Sequence, residues 1–320
     1  MHIKHVVLMV SYNQEKYITT ALDSILKNDV LPDKIIINDD CSTDNTWNII
    51  QDYVKQYPEL IIANHNEHNL GIFKNINKTW MDGINSGCDV ISWCSGDDLW
   101  EKNVIKNLNN SIEKNNIDIK NDKFIIVTNS YLLNKNGKKQ LWNNYKLKNS
   151  DIALARLGKK LNHREIGISI NVLKNDFTPL DASLGLASDT VFVYSLERKI
   201  DKWFFENFEA ANYRTRVGVV SREKVSTLLK SEANAYKYIL DNFSLNRYQK
   251  LITEFWISFD TYLTEITINN WIKYLIAYFK NLFIQPKFLN TKNFICLQPP
   301  VILKLLMYIK NIQKRKAMKS

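Results

Sequence analysis

The sequence predicts an α/β fold, a mostly parallel twisted sheet flanked by helices, with a helical C-terminal extension. Three observations predict it. Short β-branched runs alternate with helical patterns over the first 130 residues, polar and acidic residues gather just after those runs, and from Ser221 onward the pattern is helical and aromatic.

The strand candidates are Val6–Val10, Lys34–Asn38, Leu60–Ala63, Asp89–Cys94 and Lys123–Thr128. Between the first two, Ile18, Ala21, Leu22, Ile25 and Leu26 recur at the spacing of one helix face. Trp47, Ile50, Tyr53 and Val54 repeat that spacing, after Ser42 or Thr43 as N-cap candidates. Further helices are predicted from about Phe73 to Ile84 and from about Asn103 to Ile112. Asn136-Gly137 signals a turn; a helix near Ser188–Lys199 and an aromatic run, Trp203–Tyr213, follow. The expected division is a domain over residues 1–220 and an extension over 221–320. In parallel α/β sheets ligands bind beyond the carboxyl ends of the strands, so the residues just after each strand are the place to look for a site.

The net charge of +10 conceals an asymmetry. Residues 1–100 carry 7 basic and 14 acidic side chains, whereas residues 101–320 carry 36 and 19. Nucleic-acid binders concentrate basic residues on the recognition element; here the more regular half is acidic, so no nucleic-acid partner is expected. A basic C-terminal half fits an anionic lipid surface or glycan instead. Cys41, Cys88, Cys94 and Cys296 show no metal-binding spacing, and Cys88 and Cys94 read as small buried hydrophobes. The N-terminal apolar run is too short and wrongly flanked for a signal peptide, so the N-terminal domain is expected in the cytoplasm. Near the C-terminus, Trp271–Ile284 and Phe294–Ile309 are interrupted by lysines or prolines and fall short of a spanning helix. With the basic residues Lys310, Lys314, Arg315, Lys316 and Lys319 they resemble a helix lying in a membrane interface. A helical cap with a solvated tail is the alternative.

The first strand leads into Ser11-Tyr12-Asn13, without the glycine-rich turn of a dinucleotide site or the GxxxxGK[ST] loop of a P-loop. The second ends in Asn38-Asp39-Asp40-Cys41-Ser42-Thr43-Asp44. Helix capping and dipole preferences explain Ser42, Thr43 and Asp44, but leave Asp39 and Asp40 at a strand end that projects toward the crevice. The strand Asp89–Cys94 ends in Ser95-Gly96-Asp97-Asp98. Adjacent carboxylates there repel unless solvated or bridged by a cation, and hard divalent ions bind through one or two carboxylates plus substrate phosphates. Gly96 would permit close approach of backbone and ligand.

Taken in order, Val10-Ser11-Tyr12-Asn13, Ala21-Leu22-Asp23-Ser24, Asp39-Asp40-Cys41-Ser42-Thr43-Asp44-Asn45-Thr46, Asn69-Leu70-Gly71 with Asn75, and Ser95-Gly96-Asp97-Asp98 resemble the family 2 glycosyltransferases of the GT-A fold. Asp189 stands where that family carries its catalytic base, and Tyr213-Arg214 resembles its late Y-R segment, with Arg216 where a His is usual. The resemblance covers residues 4–221 and implies a bacterial surface-polysaccharide enzyme that inverts the transferred sugar. It implies that Ser11, Tyr12, Asn13, Asp39, Asp40, Lys74, Asn75 and Asp97 bind a nucleoside-diphosphate sugar of the UDP or dTDP type. It further implies that Asp97 and Asp98 hold Mn²⁺ or Mg²⁺, and that Asp189 takes the proton of an acceptor hydroxyl on a glycan or lipid-linked acceptor. Ser95 departs from the frequent first Asp of the metal motif. Asp181, Arg164 and His163 fall in the expected acceptor region, and Trp100, Trp93 and Trp142 are candidates for stacking on a sugar, with Trp93 better read as core.

Two other readings remain. A sugar-nucleotide pyrophosphorylase would need a glycine-rich, basic loop after the first strand, which Ser11-Tyr12-Asn13-Gln14 does not supply. A non-enzymatic module binding nucleic acid or a membrane surface through its basic half would have no need of carboxylates at strand ends.

Overall fold

The computed structural model describes residues 2–142, 152–158 and 165–284, together with residues 289, 293, 296, 297, 299, 300 and 303. The chain forms two compact units. One comprises Met1–Ile152, Leu161–Ala182 and Phe192–Arg222; the other comprises Ala153–Lys160, Ser183–Val191 and Glu223–Ser320.

The first unit opens with strands and helices in alternation: β1 (His5–Ser11), α1 (Ile18–Leu26), β2 (Lys34–Asp39), α2 (Thr46–Gln56), β3 (Ile61–His65), α3 (Ile72–Ile84) and β4 (Val90–Trp93). After these come β5 (Leu99–Trp100), α4 (Val104–Lys114), β6 (Phe124–Leu133), β7 (Lys139–Trp142), α5 (Ile152–Leu157), β8 (Glu165–Ser169), α6 (Ile170–Leu173), α7 (Ser188–Glu197) and β9 (Lys202–Arg214). The strands form one sheet in the order β3-β2-β1-β4-β8-β6-β9-β5, with β7 paired to β6. From β3 to β4 all pairings are parallel. Beyond β4 the sheet is mixed: β8 runs antiparallel to β4 and β6, β5 antiparallel to β9, and β9 parallel to β6.

Burial follows the periods in the sequence. Val7 and Met9 of β1, and Ile35 and Ile37 of β2, share a core with Ile18, Ala21, Leu22 and Ile25 of α1, as alternation on a strand and the 3.6-residue repeat on a helix require. Each such side chain removed from water contributes roughly 1.5–3 kcal/mol. Cys88 and Cys94 are buried, and Trp100 belongs to this core rather than to a sugar-stacking surface. Asn136-Gly137 forms the turn between β6 and β7, with Gly137 in the left-handed region. The chain passes from β3 through α3 to β4, on the far side of β1. This reversal of strand order opens a crevice at the carboxyl ends of β1 and β4, where such sheets bind ligands.

In the second unit, α8 (Val225–Asn242), α9 (Arg247–Thr264) and α10 (Ile268–Ile284) pack in sequence. A capping box starts α9: Asn246 accepts from Gln249 N at 2.9 Å, and Gln249 returns a bond to Asn246 N at 3.1 Å. Phe255, Phe259 and Tyr262 of α9 close on Tyr274 of α10, with ring centroids 5.4–5.9 Å apart. Among the described residues no helix is long and apolar enough to cross a membrane. The basic residues from Lys310 onward lie outside the described residues.

His5, in β1, is buried, with Nε2 2.7 Å from Asn109 Oδ1. Burial outweighs this bond and the nearby Asp33 and Asp89, and holds the imidazole below its ordinary value of 6.5. Above that value the ring is neutral in both folded and unfolded chains. As pH falls below it the unfolded chain takes up the proton first, so the folded state loses stability until its own lowered pKa is reached. Between about pH 6.5 and pH 5 the melting temperature should fall more steeply for the natural chain than for His5→Gln; parallel curves would exclude His5 as a source of acid sensitivity.

Candidate functional site

Ser11, Asp39 and His65 end three adjacent parallel strands and sit side by side in register. Asp39 is fully buried. Its Oδ1 accepts from Ser11 Oγ at 2.8 Å and Ser42 Oγ at 2.6 Å; its Oδ2 accepts from Ser42 N at 2.9 Å and faces His65 Nδ1 at 2.8 Å. Asp40 is buried too. It accepts from Asn66 Nδ2 at 3.0 Å, Leu70 N at 2.8 Å and Gly71 N at 3.0 Å, pinning the loop before α3. Cys41, at φ 59°, turns the chain sharply after the pair. Each carboxylate thus has its own donors, and their repulsion is answered without a bridging cation. Both side chains, expected at a ligand, meet donors within the protein, as a buried carboxylate requires: left without donors it costs more than the roughly 1–3 kcal/mol of a neutral unsatisfied group.

The same network shapes the segment after β1. Asn13 takes a left-handed φ of 51°; its Oδ1 accepts from Thr43 N at 2.8 Å, and its own N–H donates to Ser42 Oγ at 2.9 Å. Gln14 N donates to Thr46 Oγ1 at 2.7 Å. Burial opposes ionisation of Asp44, but bonds from Thr46 and the Glu15 N–H outweigh it and hold the carboxyl below the usual range. Ser42 and Thr43, expected as caps of α2, serve this network instead; the N-cap is Asn45, whose side chain makes no capping bond. Ser11 is buried, whereas Tyr12 is 46% exposed.

His65 was not singled out in the sequence, although it stands at the end of the third strand, where a site is expected. Its ring stacks on Trp47, centroids 4.7 Å apart at 28°, while Asp39 holds Nδ1. A carboxylate can only accept, so Nδ1 carries the hydrogen and Nε2 is the nitrogen left to present. Asn75 is buried: it donates to Asn38 O at 3.0 Å and accepts from Asn66 Nδ2 at 2.9 Å. It therefore supports the loop that Asp40 pins. Lys74, one residue earlier, is exposed on the first turn of α3.

Across the crevice, Gly96 N donates to Val10 O at 3.0 Å, tying the turn after β4 to β1. A Cβ on Gly96 would lie 2.3 Å from Gln14 Oε1 and 2.9 Å from Ile18 Cδ1. The glycine is needed for contact with the protein's own β1 exit, rather than with a ligand as the sequence suggested. Asp98 is buried and accepts from Arg214 N at 3.1 Å. Asp97 is half-buried. Gly218, at φ +75°, passes so close that a Cβ would lie 3.0 Å from Asp97 Oδ2. Ser95 accepts from the Trp93 indole at 3.1 Å, and Trp93 stacks on Trp80 with centroids 5.3 Å apart.

Among the described residues no group of three or more His, Cys, Asp or Glu gathers as a metal cage. Asp97, half-buried and with hard oxygen donors, is of the chemistry that suits an ion of the Mg²⁺ or Mn²⁺ kind, which completes its shell with phosphates and water.

Asp189 lies in the second unit, half-buried in the first turn of α7. Within that unit, Ser231 of α8 fixes the approach to this helix: its Oγ donates to Leu184 O and accepts from Ala187 N, both at 2.7 Å. Gly185, at φ +71°, packs against the same serine. Asp181 is exposed in the first unit. His163, Arg164 and the Trp142 side chain lie outside the described residues.

Comparison with known proteins places the chain in a family. The model of glycosyl transferase family 2 matches residues 6–166. The dTDP-rhamnosyl transferase RfbG of Shigella flexneri is 34% identical over 110 residues, 34% of this chain and 38% of that protein. The uncharacterized protein Rv1520 of Mycobacterium tuberculosis is 36% identical over 95 residues, 29% of this chain and 27% of that protein. The chain thus spans well under half the length of these curated relatives. Staphylococcus aureus TarS 1–349 in complex with UDP-GlcNAc superposes with a TM-score of 0.60 at 18% identity, over 86% of this chain and 79% of that one. The mannosyltransferase PcManGT of Pyrobaculum calidifontis, in complex with GDP-Man and Mn²⁺, gives 0.56 at 12% identity, over 99% and 84%. These structural likenesses show the GT-A fold, and the family match covers half of the sequence: the chain belongs to glycosyl transferase family 2.

Proposed function

We propose that this glycosyltransferase moves a sugar from a nucleoside-diphosphate donor of the UDP or dTDP type to a hydroxyl of a glycan or lipid-linked acceptor, with inversion, in the synthesis of a surface polysaccharide. One observation carries the reading. The inward-facing carboxylates Asp39 and Asp40 order the crevice edge, while Tyr12, His65 and Asp97 remain accessible there. The donor named for the rhamnosyl transferase relative supports the dTDP choice, and that of TarS supports UDP.

In this reading the nucleotide base lies against Tyr12 and the His65–Trp47 stack, with Asn13 shaping the pocket wall. Uracil and thymine each carry an imide N–H between two carbonyl oxygens, and His65 Nε2, aimed by Asp39, meets that edge. Lys74, exposed on the first turn of α3, pairs with the diphosphate. Asp97 and Asp98 are assigned the divalent cation by their place in the family pattern. When bound, Mn²⁺ or Mg²⁺ supplies Lewis-acid stabilisation of the charge that develops on the departing diphosphate. Asp189 is assigned the base by its position in the family pattern: it accepts the acceptor hydroxyl proton as that oxygen bonds to the anomeric carbon and the bond to the diphosphate breaks. A single displacement of this kind inverts the sugar.

A thermal-shift titration tests the donor reading. UDP or dTDP should raise the melting temperature only when Mn²⁺ or Mg²⁺ is present, and Asp97→Asn should abolish the cation dependence. Oligonucleotides giving the same shift would point to a nucleic-acid module instead. His65→Ala should weaken UDP or dTDP binding about ten-fold, the worth of one hydrogen bond near 1.4 kcal/mol, and leave GDP little affected; equal losses for all three would assign His65 to packing. Asp189→Asn should lower kcat by about 10² or more with donor affinity kept. Lost donor affinity, or a retained anomeric configuration in the product of the natural enzyme, would remove Asp189 from this role.

A further inference from the structure

Helix α10 turns an apolar stripe to the outside. Ile268, Ile272, Ile276, Phe279 and Phe283 follow one another at four, four, three and four residues, so they share one helix face. They are 60, 46, 53, 49 and 82% exposed. The helix is anchored on its opposite side, where Tyr274, Ala277, Tyr278 and Asn281 are buried, and Asn281 Nδ2 donates to Leu251 O of α9 at 3.1 Å. Exposed apolar residues scattered singly are ordinary; a continuous row along four turns marks a surface that meets something apolar.

The charges around the stripe say what that partner is. Lys273 and Lys280 are exposed and flank it along one side, and α10 contains no Asp or Glu. Residues 266–320 hold ten Lys and Arg and no acidic residue. A second copy of the chain docking face to face would bring two such segments together, at the cost of like-charge repulsion. Nucleic acid would satisfy the lysines and leave the isoleucines and phenylalanines in water. A bilayer with anionic headgroups satisfies both, since its acyl boundary accepts the stripe and its phosphates accept the lysines. At 17 residues, about 25 Å, the helix suits lying along such a surface, and no described helix meets the requirements for crossing one.

We infer that α10 is an interfacial helix that docks this enzyme on an anionic bilayer through Ile276, Phe279 and Phe283, with Lys273 and Lys280 at the headgroup level. The inference rests on the face of α10 and is independent of which nucleotide sugar the other unit binds.

Flotation of the full chain with vesicles tests it. The chain should float with phosphatidylcholine vesicles containing phosphatidylglycerol and only weakly with phosphatidylcholine alone. The double substitution Ile276→Asp/Phe283→Asp should reduce binding at least about ten-fold. Lys273→Gln/Lys280→Gln should reduce it several-fold and flatten its dependence on salt. Circular dichroism melts of the variants separate lost docking from lost folding, and Ile276→Ser/Phe283→Ser provides a milder pair if the aspartates unfold α10. Equal binding to both vesicle types, or undiminished binding by a folded aspartate or serine pair, would overturn the inference. So would a dimer in solution that the same pair dissociates in a chain that never floats, since the stripe would then be an interface between copies.

Discussion

The structure of the site depends on how two neighbouring buried carboxylates are satisfied. Asp39 and Asp40 leave the end of β2 with no water to solvate them, and every oxygen must find donors within the protein. Asp39 draws them from Ser11, Ser42 and His65, and Asp40 draws them from Asn66, Leu70 and Gly71. Those partners belong to the β1 exit, the β2 turn, the β3 end and the loop before α3. Two acidic side chains therefore order four chain segments, two of which, the turn after β2 and the loop before α3, have no regular structure of their own. The exposed surface of the crevice is what remains once this internal demand has been met.

This explains which features of the site were legible in the sequence. The parallel strands and their helices could be read because their periods reflect burial on one face, as in Val7 and Met9 against Ile18 and Leu22. The acidic motifs could be read as a site, but not the direction in which they point. Asp39 is oriented by residues 28 positions before and 26 after it, and no local pattern reports such partners. His65 escaped notice for the same reason, since its significance lies in register with Asp39 and stacking on Trp47. The mixed half of the sheet was equally hidden: β8, β6 and β9 pair across long stretches of chain, and strand direction leaves little mark on composition.

The two units differ in how they secure their functional residues. In the first, hydrogen bonds to carboxylates hold the loops. In the second, a single hydroxyl does comparable service, with Ser231 gripping both Leu184 and Ala187 just before the helix that carries Asp189. Aromatic packing between α9 and α10 supplies the remaining rigidity there. It keeps the inner face of α10 in place while its outer face stays available.

The contact at Gly96 has a consequence for how this crevice can change. Main chain meets main chain at Val10, and a Cβ on Gly96 would crowd Gln14, Ile18 and the Val10 carbonyl, so the turn bearing Asp97 is held close to the exit of β1. The spacing between the two walls is thus set by backbone thickness, a dimension that side-chain replacement does not alter. Adaptation to a donor of different size must then arise from parts that can swing, such as the Tyr12 ring, while the rigid seam acts as a gauge block.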